Sequence, residues 1–178
     1  MTMTNIVIFD VDGTLTPHPG GKLGCLYSSG WENYKSYYSN LEGVKYIGKM
    51  LNLLVENDYI ILYNSNNYKE NIIKLFNFYN IMTDGGNSRE TPFGKIDYID
   101  NIGIHYKNSN IFYLEDDKSY LNMSTVNNIS CADGMWLGKQ LKIIVECLKF
   151  DEEIPDDVYN LYIFLQDISK NILIDFNL

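Results

Sequence analysis

Short apolar runs rich in β-branched residues recur along this chain of 178 residues. The runs at 5–9, 59–63 and 110–114 have the length of a strand, and each ends at polar or turn-forming residues. Unbroken apolar runs of this kind are typical of strands that are buried on both faces of a sheet. Shorter apolar stretches at 81–83 and 128–132 predict two further strands.

Between these runs the apolar residues recur at helical spacing. Amphipathic helices are predicted at 43–57, 68–79, 137–150 and 155–171, and a weaker helix is predicted at 92–102. Strands that alternate with helices form βαβ units and a parallel sheet that is covered on both faces. The pattern therefore predicts an α/β fold, a Rossmann-like three-layer sandwich with a central parallel sheet.

The segments outside this pattern do not indicate a second domain. Residues 17–42 hold Pro, Gly, Ser and aromatic residues without a clear period, so we expect a long loop or a small β-flap there. The acidic stretch 151–157 contains Pro155 and indicates a hinge before the final helix. We therefore expect a single domain over residues 1–178, with a flap at 17–42 and a C-terminal helical extension at 151–178.

Charge, hydropathy and cysteine spacing indicate which classes of binding partner and which cellular compartment to expect. The formal net charge is −9 and Arg89 is the only arginine, so the sequence lacks the basic stripe of nucleic-acid-binding proteins. No apolar run reaches the length of a membrane span. The spacing of Cys25, Cys131 and Cys147 matches neither a disulfide framework nor a zinc site. We therefore expect a cytoplasmic protein without a membrane partner, and the charge argues against a nucleic-acid partner.

Candidate chemistry lies where the predicted strands end. Five polar residues follow three of the strands: Asp10 and Asp12, Ser65, and Asp116 and Asp117. Lys95 lies on the segment before the last of these strands. Because ligands bind at the carboxyl ends of the strands in an open parallel sheet, we expect these side chains to meet at one edge of the sheet.

A cluster of this kind has the groups that phosphoryl transfer needs. Carboxylates held together repel one another unless a cation or a proton neutralises them, and their oxygens are ligands that Mg²⁺ prefers. A hydroxyl and an ammonium group can hold phosphate oxygens, one carboxylate can attack phosphorus, and a second can move protons. The residues alone therefore predict a Mg²⁺-dependent site for phosphoryl transfer.

The same residues resemble the motifs of the haloacid dehalogenase superfamily, over roughly residues 5 to 135. Residues 9–16, Phe-Asp-Val-Asp-Gly-Thr-Leu-Thr, are similar to its first motif, an apolar strand followed by Asp-x-Asp-Gly-Thr-Leu-Thr. The second, third and fourth motifs are matched in order by Ser65, Lys95 and the pair Asp116 and Asp117. The resemblance implies the fold of this superfamily and the activity of a phosphatase.

The resemblance also implies roles for the carboxylates. Asp10 forms an aspartyl-phosphate and binds Mg²⁺, while Asp12 is the general acid and base and lends its backbone carbonyl to the metal. Asp116 is a direct metal ligand, and Asp117 acts directly or through water. Glu115 departs from the family pattern, which often has Gly before the first Asp of this pair. Its charge either crowds the metal or points into solvent.

Phosphate binding is assigned by the same resemblance to three residues: Ser65, Lys95 and Gly13. Gly13 lets the chain turn sharply away from the strand and presents backbone N–H groups to the phosphate. Two of these assignments have alternatives in the sequence. Asn64 precedes Ser65, and Lys74 and Lys107 are rival lysines for the third motif.

No segment is long enough for a cap domain, so the resemblance implies a capless member with only a flap. Such members accept large phosphorylated substrates or close the site by forming a homo-oligomer, and a small phosphorylated molecule stays an alternative. Aromatic residues in the flap either stack on a base or sugar or pack the flap against the body: Tyr27, Trp31, Tyr34, Tyr37 and Tyr38.

The function predicted from these features is Mg²⁺-dependent phosphoester hydrolysis, with the substrate left open. Polynucleotide 3′-phosphatases share the capless core and the first motif, but the acidic charge argues against this substrate. A phospho-accepting regulatory module and a non-catalytic binding module with the same fold are alternatives. Regulatory receivers lack the acid and base that Asp12 supplies, and all motif residues of an enzyme are present, so hydrolysis is favoured.

Overall fold

A computed structural model of the protein describes residues 3–123, 126–130 and 135–177. Within these residues, five strands form one parallel sheet in the order β3-β2-β1-β4-β5. The strands are β1 (Thr4–Phe9), β2 (Ile60–Asn64), β3 (Gly86–Asn87), β4 (Ser109–Glu115) and β5 (Asn127–Ser130). This arrangement confirms the predicted α/β fold with a central parallel sheet.

Helices connect the strands and cover both faces of the sheet. In chain order they are α1 (Leu26–Ser29), α2 (Trp31–Ser39), α3 (Gly43–Glu56), α4 (Lys69–Phe78), α5 (Lys95–His105), α6 (Lys118–Met123), α7 (Leu137–Lys149), α8 (Asp156–Ile168) and α9 (Ile172–Asp175). In the part of the chain that the structure describes, none of them has the length and apolar character needed to cross a bilayer. Cys25 and Cys147 are free thiols, and Cys131 lies outside the described residues.

The two faces of the sheet have separate cores. Val7 and Phe9 of β1 belong to the larger core, which they share with α2, α3, α4, α7 and α8. Ile6 and Ile8 point to the other face and pack in a smaller core with α5 and α6. Because successive side chains of a strand alternate between the faces, β1 must be apolar throughout. This accounts for the unbroken apolar run that the sequence shows.

The strand order creates a topological switch point between β1 and β4. Phe9 of β1 is level with Tyr63 of β2 on one side and with Leu114 of β4 on the other. In open parallel sheets, ligands bind beyond the carboxyl ends of the strands at such a point. Asp10 and Asp116, which follow β1 and β4, lie on the two sides of this crevice.

The flap, residues 17–42, differs from the predicted loop or β-flap because α1 and α2 lie within it. Trp31, Tyr34 and Tyr38 follow helical spacing along α2 and are buried in the larger core. The Tyr38 hydroxyl donates to the Leu15 carbonyl oxygen at 2.8 Å. The period was unclear in the sequence because this buried face is made mainly of tyrosine, which carries a hydroxyl and is only weakly apolar. Most aromatic residues of the flap therefore pack it against the body of the protein, which was one of the two alternatives predicted from the sequence.

Two further differences concern the outer strands. The segment 81–83 is not a strand, and β3 forms instead at 86–87, where a Cβ on Gly86 would lie 2.3 Å from the Tyr63 carbonyl oxygen. A two-residue strand that begins at a glycine has no apolar pattern by which to predict it. Helix α6 was also not predicted, and residues 131–132 of the predicted fifth strand lie outside the described residues.

The C-terminal segment contributes to the larger core. One face of α8 is buried, through Val158, Leu161, Phe164, Leu165 and Ile168. The Asn57 side chain at the end of α3 donates to the Ile168 carbonyl oxygen at 3.0 Å. The segment before α8 therefore leads the chain back to the body of the protein, where α8 packs.

Candidate active site

Asp10 lies directly after β1, at the switch point of the sheet. Its backbone N–H donates to the Leu114 carbonyl oxygen at 2.9 Å, which extends the pairing of β1 and β4 to the residue that carries the carboxyl group. Its Oδ2 accepts from Thr14 Oγ1 at 2.8 Å, and its Oδ1 accepts from Lys95 Nζ at 2.9 Å. Asp10 and Lys95 are both buried, so this ion pair is shielded from bulk water.

Lys95 begins α5 and joins Asp10 to Glu115. Its Nζ lies 2.7 Å from Glu115 Oε2, and the Tyr113 hydroxyl donates to the same oxygen. The ring of Tyr120 lies 4.7 Å from Nζ and adds a cation–π contact. Burial lowers the pKa of Lys95, but the two carboxylates outweigh this effect and hold the pKa above the ordinary lysine value. Lys95 is therefore charged at neutral pH.

Asp10, Glu115 and Asp116 form a carboxylate triad, and two of its members, Asp10 and Glu115, contact Lys95. One oxygen from each lies within 4.8 Å of the others. Burial raises the pKa of Asp116 to about 9, with hydrogen bonding and like charge from Asp10 and Glu115 acting in the same direction. Burial also raises the pKa of Glu115. In the absence of a cation, the triad therefore holds a proton at neutral pH.

The donor set of the triad fits a hard divalent cation. Three carboxylates beside one ammonium group leave two negative charges in excess when all are ionised. Mg²⁺ prefers oxygen ligands and takes few of them from the protein, keeping waters or phosphate oxygens in the rest of its shell. The triad can therefore hold a metal ion such as the predicted Mg²⁺. Glu115, which sequence reasoning left without a role, points into the site and not into solvent.

Asp12 is oriented by donors from two different elements. The Tyr27 N–H of α1 donates to Oδ1 at 3.1 Å, and Asn67 Nδ2, in the loop after β2, donates to Oδ2 at 2.7 Å. Burial raises the pKa of Asp12, although these two hydrogen bonds oppose the shift. A carboxyl group with a raised pKa is suited to transfer a proton near neutral pH.

Ser65 and Asn64 leave the end of β2 in different directions. Ser65 Oγ accepts from the Asn67 N–H at 3.0 Å, and Ser65 lines the cavity described below. Asn64 Nδ2 instead donates to the Lys95 carbonyl oxygen and to the Tyr113 hydroxyl, each at 3.1 Å. Of these two neighbours, Ser65 is the one that lines the cavity, and its binding of phosphate stays a prediction.

Gly13 brings the first loop against Asp116. Its φ is 85°, and a Cβ at this position would lie 2.3 Å from Asp116 Oδ2 and 2.9 Å from His18 Nε2. Its N–H donates to the Thr16 carbonyl oxygen at 2.7 Å, within the turn. Phosphate binding by Gly13 therefore stays a prediction, whereas its close approach to the triad is part of the fold.

Replacing Gly13 by Ala should weaken metal binding. The new methyl group must displace Asp116, and we expect Mg²⁺ affinity to fall about tenfold, as for changes beside metal ligands. Gly20→Ala is the matched control, because Gly20 has a φ of 77° but a Cβ added there would meet nothing within 4 Å. Both variants suffer backbone strain, so calorimetric titration with Mg²⁺ isolates the effect on the triad. Equal affinity in the two variants would contradict the close approach.

Three other predicted residues lie outside the contacts of Asp10. Asp117 is exposed at the cavity wall, and hydrogen bonds from the Ser119 side chain and N–H lower its pKa. It is not a member of the triad, and its role as a metal ligand stays a prediction. Lys74 forms surface ion pairs with two glutamates, and Lys107 lines a different cavity. Of the three rival lysines, Lys95 is the one that contacts Asp10.

The site opens into a cavity of about 440 Å³, a volume in the range of small-molecule sites. Six predicted residues line it: Asp10, Asp12, Ser65, Lys95, Asp116 and Asp117. Other residues that motif reasoning did not place line it too, among them Tyr27, Arg89 and Glu115. A larger cavity of about 650 Å³ has only the rival lysine Lys107, and no candidate carboxylate or Ser65, among its described lining residues, so its size does not make it the site.

Comparison with known proteins identifies no family. No protein-family model matches the sequence, and no curated protein matches it. The solved structure entitled "Structure of Pnkp1/Rnl/Hen1 complex" contains a similar chain, with 16% sequence identity and a TM-score of 0.48. The similarity covers 75% of this chain and 48% of that one, so this chain spans about half the length of its neighbour.

Proposed function

We propose that the protein is a Mg²⁺-dependent phosphatase of the haloacid dehalogenase type, which hydrolyses phosphoesters through an aspartyl-phosphate on Asp10. The observation that supports this proposal most is the buried contact of Asp10 with Lys95, beside Glu115 and Asp116 at the switch point of the sheet. A carboxylate nucleophile, a cation for phosphate oxygens and a set of metal ligands are what phosphoryl transfer needs in one place.

The metal ion would be held by the triad, with the Asp12 carbonyl as a further ligand and Asp117 as a direct or water-mediated one. When bound, the ion supplies positive charge to phosphate oxygens that a site with an excess of carboxylates would otherwise repel. Asp116, which holds a proton in the metal-free protein, would release that proton when an ion is bound. Lys95 and Ser65 then hold the phosphoryl oxygens.

In the first chemical step, a carboxylate oxygen of Asp10 attacks phosphorus. The bond between phosphorus and the ester oxygen breaks, and Asp12 gives its proton to the departing oxygen, so an alcohol leaves and an aspartyl-phosphate remains. The raised pKa of Asp12 supports its role as the acid. Its hydrogen bonds to the Tyr27 N–H and the Asn67 side chain keep the carboxyl group oriented.

In the second step, Asp12 acts as a base. It takes a proton from a water molecule whose oxygen attacks phosphorus, and the bond between phosphorus and the Asp10 oxygen breaks. Inorganic phosphate leaves, the Asp10 carboxylate is restored, and Asp12 is protonated again for the next cycle. Asp12 thus distinguishes this site from a regulatory receiver, in which the phosphorylated state persists.

The test of this function is turnover of a generic aryl phosphate by the purified protein. We expect hydrolysis in the presence of Mg²⁺ and none after chelation with EDTA, with activity restored when Mg²⁺ is returned. Mg²⁺ binding without turnover across a broad panel of phosphoesters would contradict the proposal and would support a non-catalytic binding module instead.

Metal binding should depend on pH in a defined direction. Because the pKa of Asp116 is raised to about 9 in the folded metal-free protein, Mg²⁺ must displace a proton at lower pH. We expect its affinity to rise about tenfold per pH unit up to that value. The metal-free protein should itself lose stability as pH rises through this range, since its folded state binds the proton more tightly than the unfolded chain does.

Calorimetry in buffers of different ionisation enthalpy measures the released proton, and thermal unfolding with and without Mg²⁺ measures the stability. The stabilisation by Mg²⁺ should therefore be larger at pH 8 than at pH 6, a range that lies below the raised pKa of about 9. Affinity that is independent of pH, with no proton released, would contradict the assignment of Asp116 to the metal site.

A further inference from the structure

We propose that Arg89 binds a second anionic group of the substrate, away from the phosphate that reacts. The inference rests on the proposed phosphatase function, because it concerns the same cavity. Arg89 lines that cavity together with Asp10, Asp12 and Lys95. It follows β3 at the outer edge of the sheet, whereas Asp10 and Lys95 lie buried at the switch point.

Two aromatic rings position the Arg89 guanidinium. Tyr27 and Tyr68 stack with their ring centroids 5.4 Å apart and an angle of 4° between the planes. Arg89 Cζ lies 5.3 Å from the first centroid and 5.4 Å from the second. Cation–π contacts of this kind hold the guanidinium in place without using its N–H donors. Those donors remain for a ligand.

The Arg89 backbone is tied to the same residues that orient the general acid. Its N–H donates to the Asn67 carbonyl oxygen at 2.9 Å. The Asn67 side chain in turn donates to Asp12, as does the N–H of Tyr27. Tyr27 and Asn67 therefore each contact both Asp12 and Arg89, so a ligand on Arg89 is held in a fixed relation to the proton donor.

The charge of Arg89 has no carboxylate partner among the residues that the structure describes. The other cation on the cavity, Lys95, is already paired with Asp10 and Glu115. A guanidinium presents its donors in a planar fork that matches a phosphate or a carboxylate in two parallel hydrogen bonds. An anionic group of the substrate is therefore the ligand that this position fits.

The test compares phosphoesters that differ by one anionic group. For a second phosphate, adenosine 3′,5′-bisphosphate is compared with adenosine 3′-monophosphate and with adenosine 5′-monophosphate. For a carboxylate, 3-phosphoglycerate is compared with glycerol 3-phosphate. An aryl phosphate without a second anion reports the basal activity. In the wild type we expect kcat/KM to be about 10- to 100-fold higher for the doubly anionic member of at least one pair. The pair that shows the preference identifies the source of the anion.

Three variants assign the preference to Arg89. In Arg89→Met, which keeps an unbranched apolar stem but removes the guanidinium and its charge, we expect the preference to fall to about twofold or less, with aryl phosphate turnover unchanged. Arg89→Lys should keep part of it, because an ammonium group keeps the charge but loses the fork. Lys69→Met removes an exposed charge nearby that does not line the cavity, and it should keep the full preference.

Each outcome decides between the two proposals. A wild type that turns over aryl phosphate but prefers neither member of any pair overturns the anion site and leaves the phosphatase intact. An Arg89→Met variant that slows every substrate equally would also overturn the anion site, because it would show that Arg89 supports the flap and binds no anion. If no phosphoester is turned over, the proposed phosphatase function is wrong. The anion site is then tested on its own by calorimetric binding of the same compounds in the presence of Mg²⁺. Binding of the doubly anionic member that depends on Arg89 supports the site, and its absence overturns it.

Discussion

Replacing Asp10 by Asn is expected to lower kcat for phosphoester hydrolysis by about 10⁴-fold or more, as for removal of a covalent nucleophile. An amide cannot form the aspartyl-phosphate. The fold should persist, because the amide oxygen can replace Oδ1 and accept from Lys95, while the amide NH₂ takes the place of Oδ2 and faces the Thr14 hydroxyl, which can accept as well as donate. The change also removes one of the excess negative charges of the triad, so we expect no loss of thermal stability in the metal-free protein.

Steady-state turnover of an aryl phosphate, measured beside the thermal midpoint, checks this expectation. Asp100→Asn is the matched control, because Asp100 is exposed on the larger cavity and loses the same charge. That control should keep wild-type turnover. Wild-type turnover in Asp10→Asn would show that another group attacks phosphorus.

Replacing Lys95 by Ala should have the second largest effect. We expect kcat to fall by about 10²- to 10³-fold, because the phosphoryl oxygens lose a preorganised cation. Asp10 and Glu115 also lose their buried partner, which should lower the free energy of unfolding by about 3 kcal/mol at neutral pH. At lower pH this loss should shrink, since protonation removes the uncompensated charge of the triad.

Kinetics combined with denaturant unfolding at two pH values measures both effects. The control is Lys74→Ala, which removes the same type of side chain from ion pairs on the surface. Surface ion pairs contribute little to stability, so neither turnover nor unfolding should change measurably. If the two variants behaved alike, Lys95 would have no special role at Asp10.

The sheet could be predicted from the sequence where a strand is buried on both faces. β1, β2 and β4 each hold four consecutive apolar residues, a pattern that follows from packing between two layers of helices. β3 could not be predicted, because it is two residues long and its close approach to β2 requires a glycine. In the flap, α2 buries Trp31, Tyr34 and Tyr38 at helical spacing, but tyrosine is only weakly apolar, so this buried face contrasts little with the polar face on which such predictions depend.

The site could be predicted where the topology determines it. Asp10 and Asp116 follow neighbouring strands of a parallel sheet, so their proximity follows from the strand order alone. The role of Glu115 could not be predicted in the same way, because its burial depends on Lys95, which reaches it from α5. The signal available in the sequence was the position of Glu115 two residues after Tyr113, which places both side chains on one face of β4. Tyr27 and Arg89 meet only because the flap packs beside the loop after β3, which no local pattern indicates.

The central claim is that phosphate passes through a covalent bond to Asp10. The direct measurement is to quench the protein during turnover with Mg²⁺, reduce it with borohydride and identify the modified residue by peptide mass spectrometry. Borohydride converts an aspartyl-phosphate to homoserine, so the account predicts homoserine at position 10 in the wild type and an unmodified aspartate at position 12. Turnover that proceeds while Asp10 remains unmodified, or a phosphorylated residue elsewhere, would contradict the account.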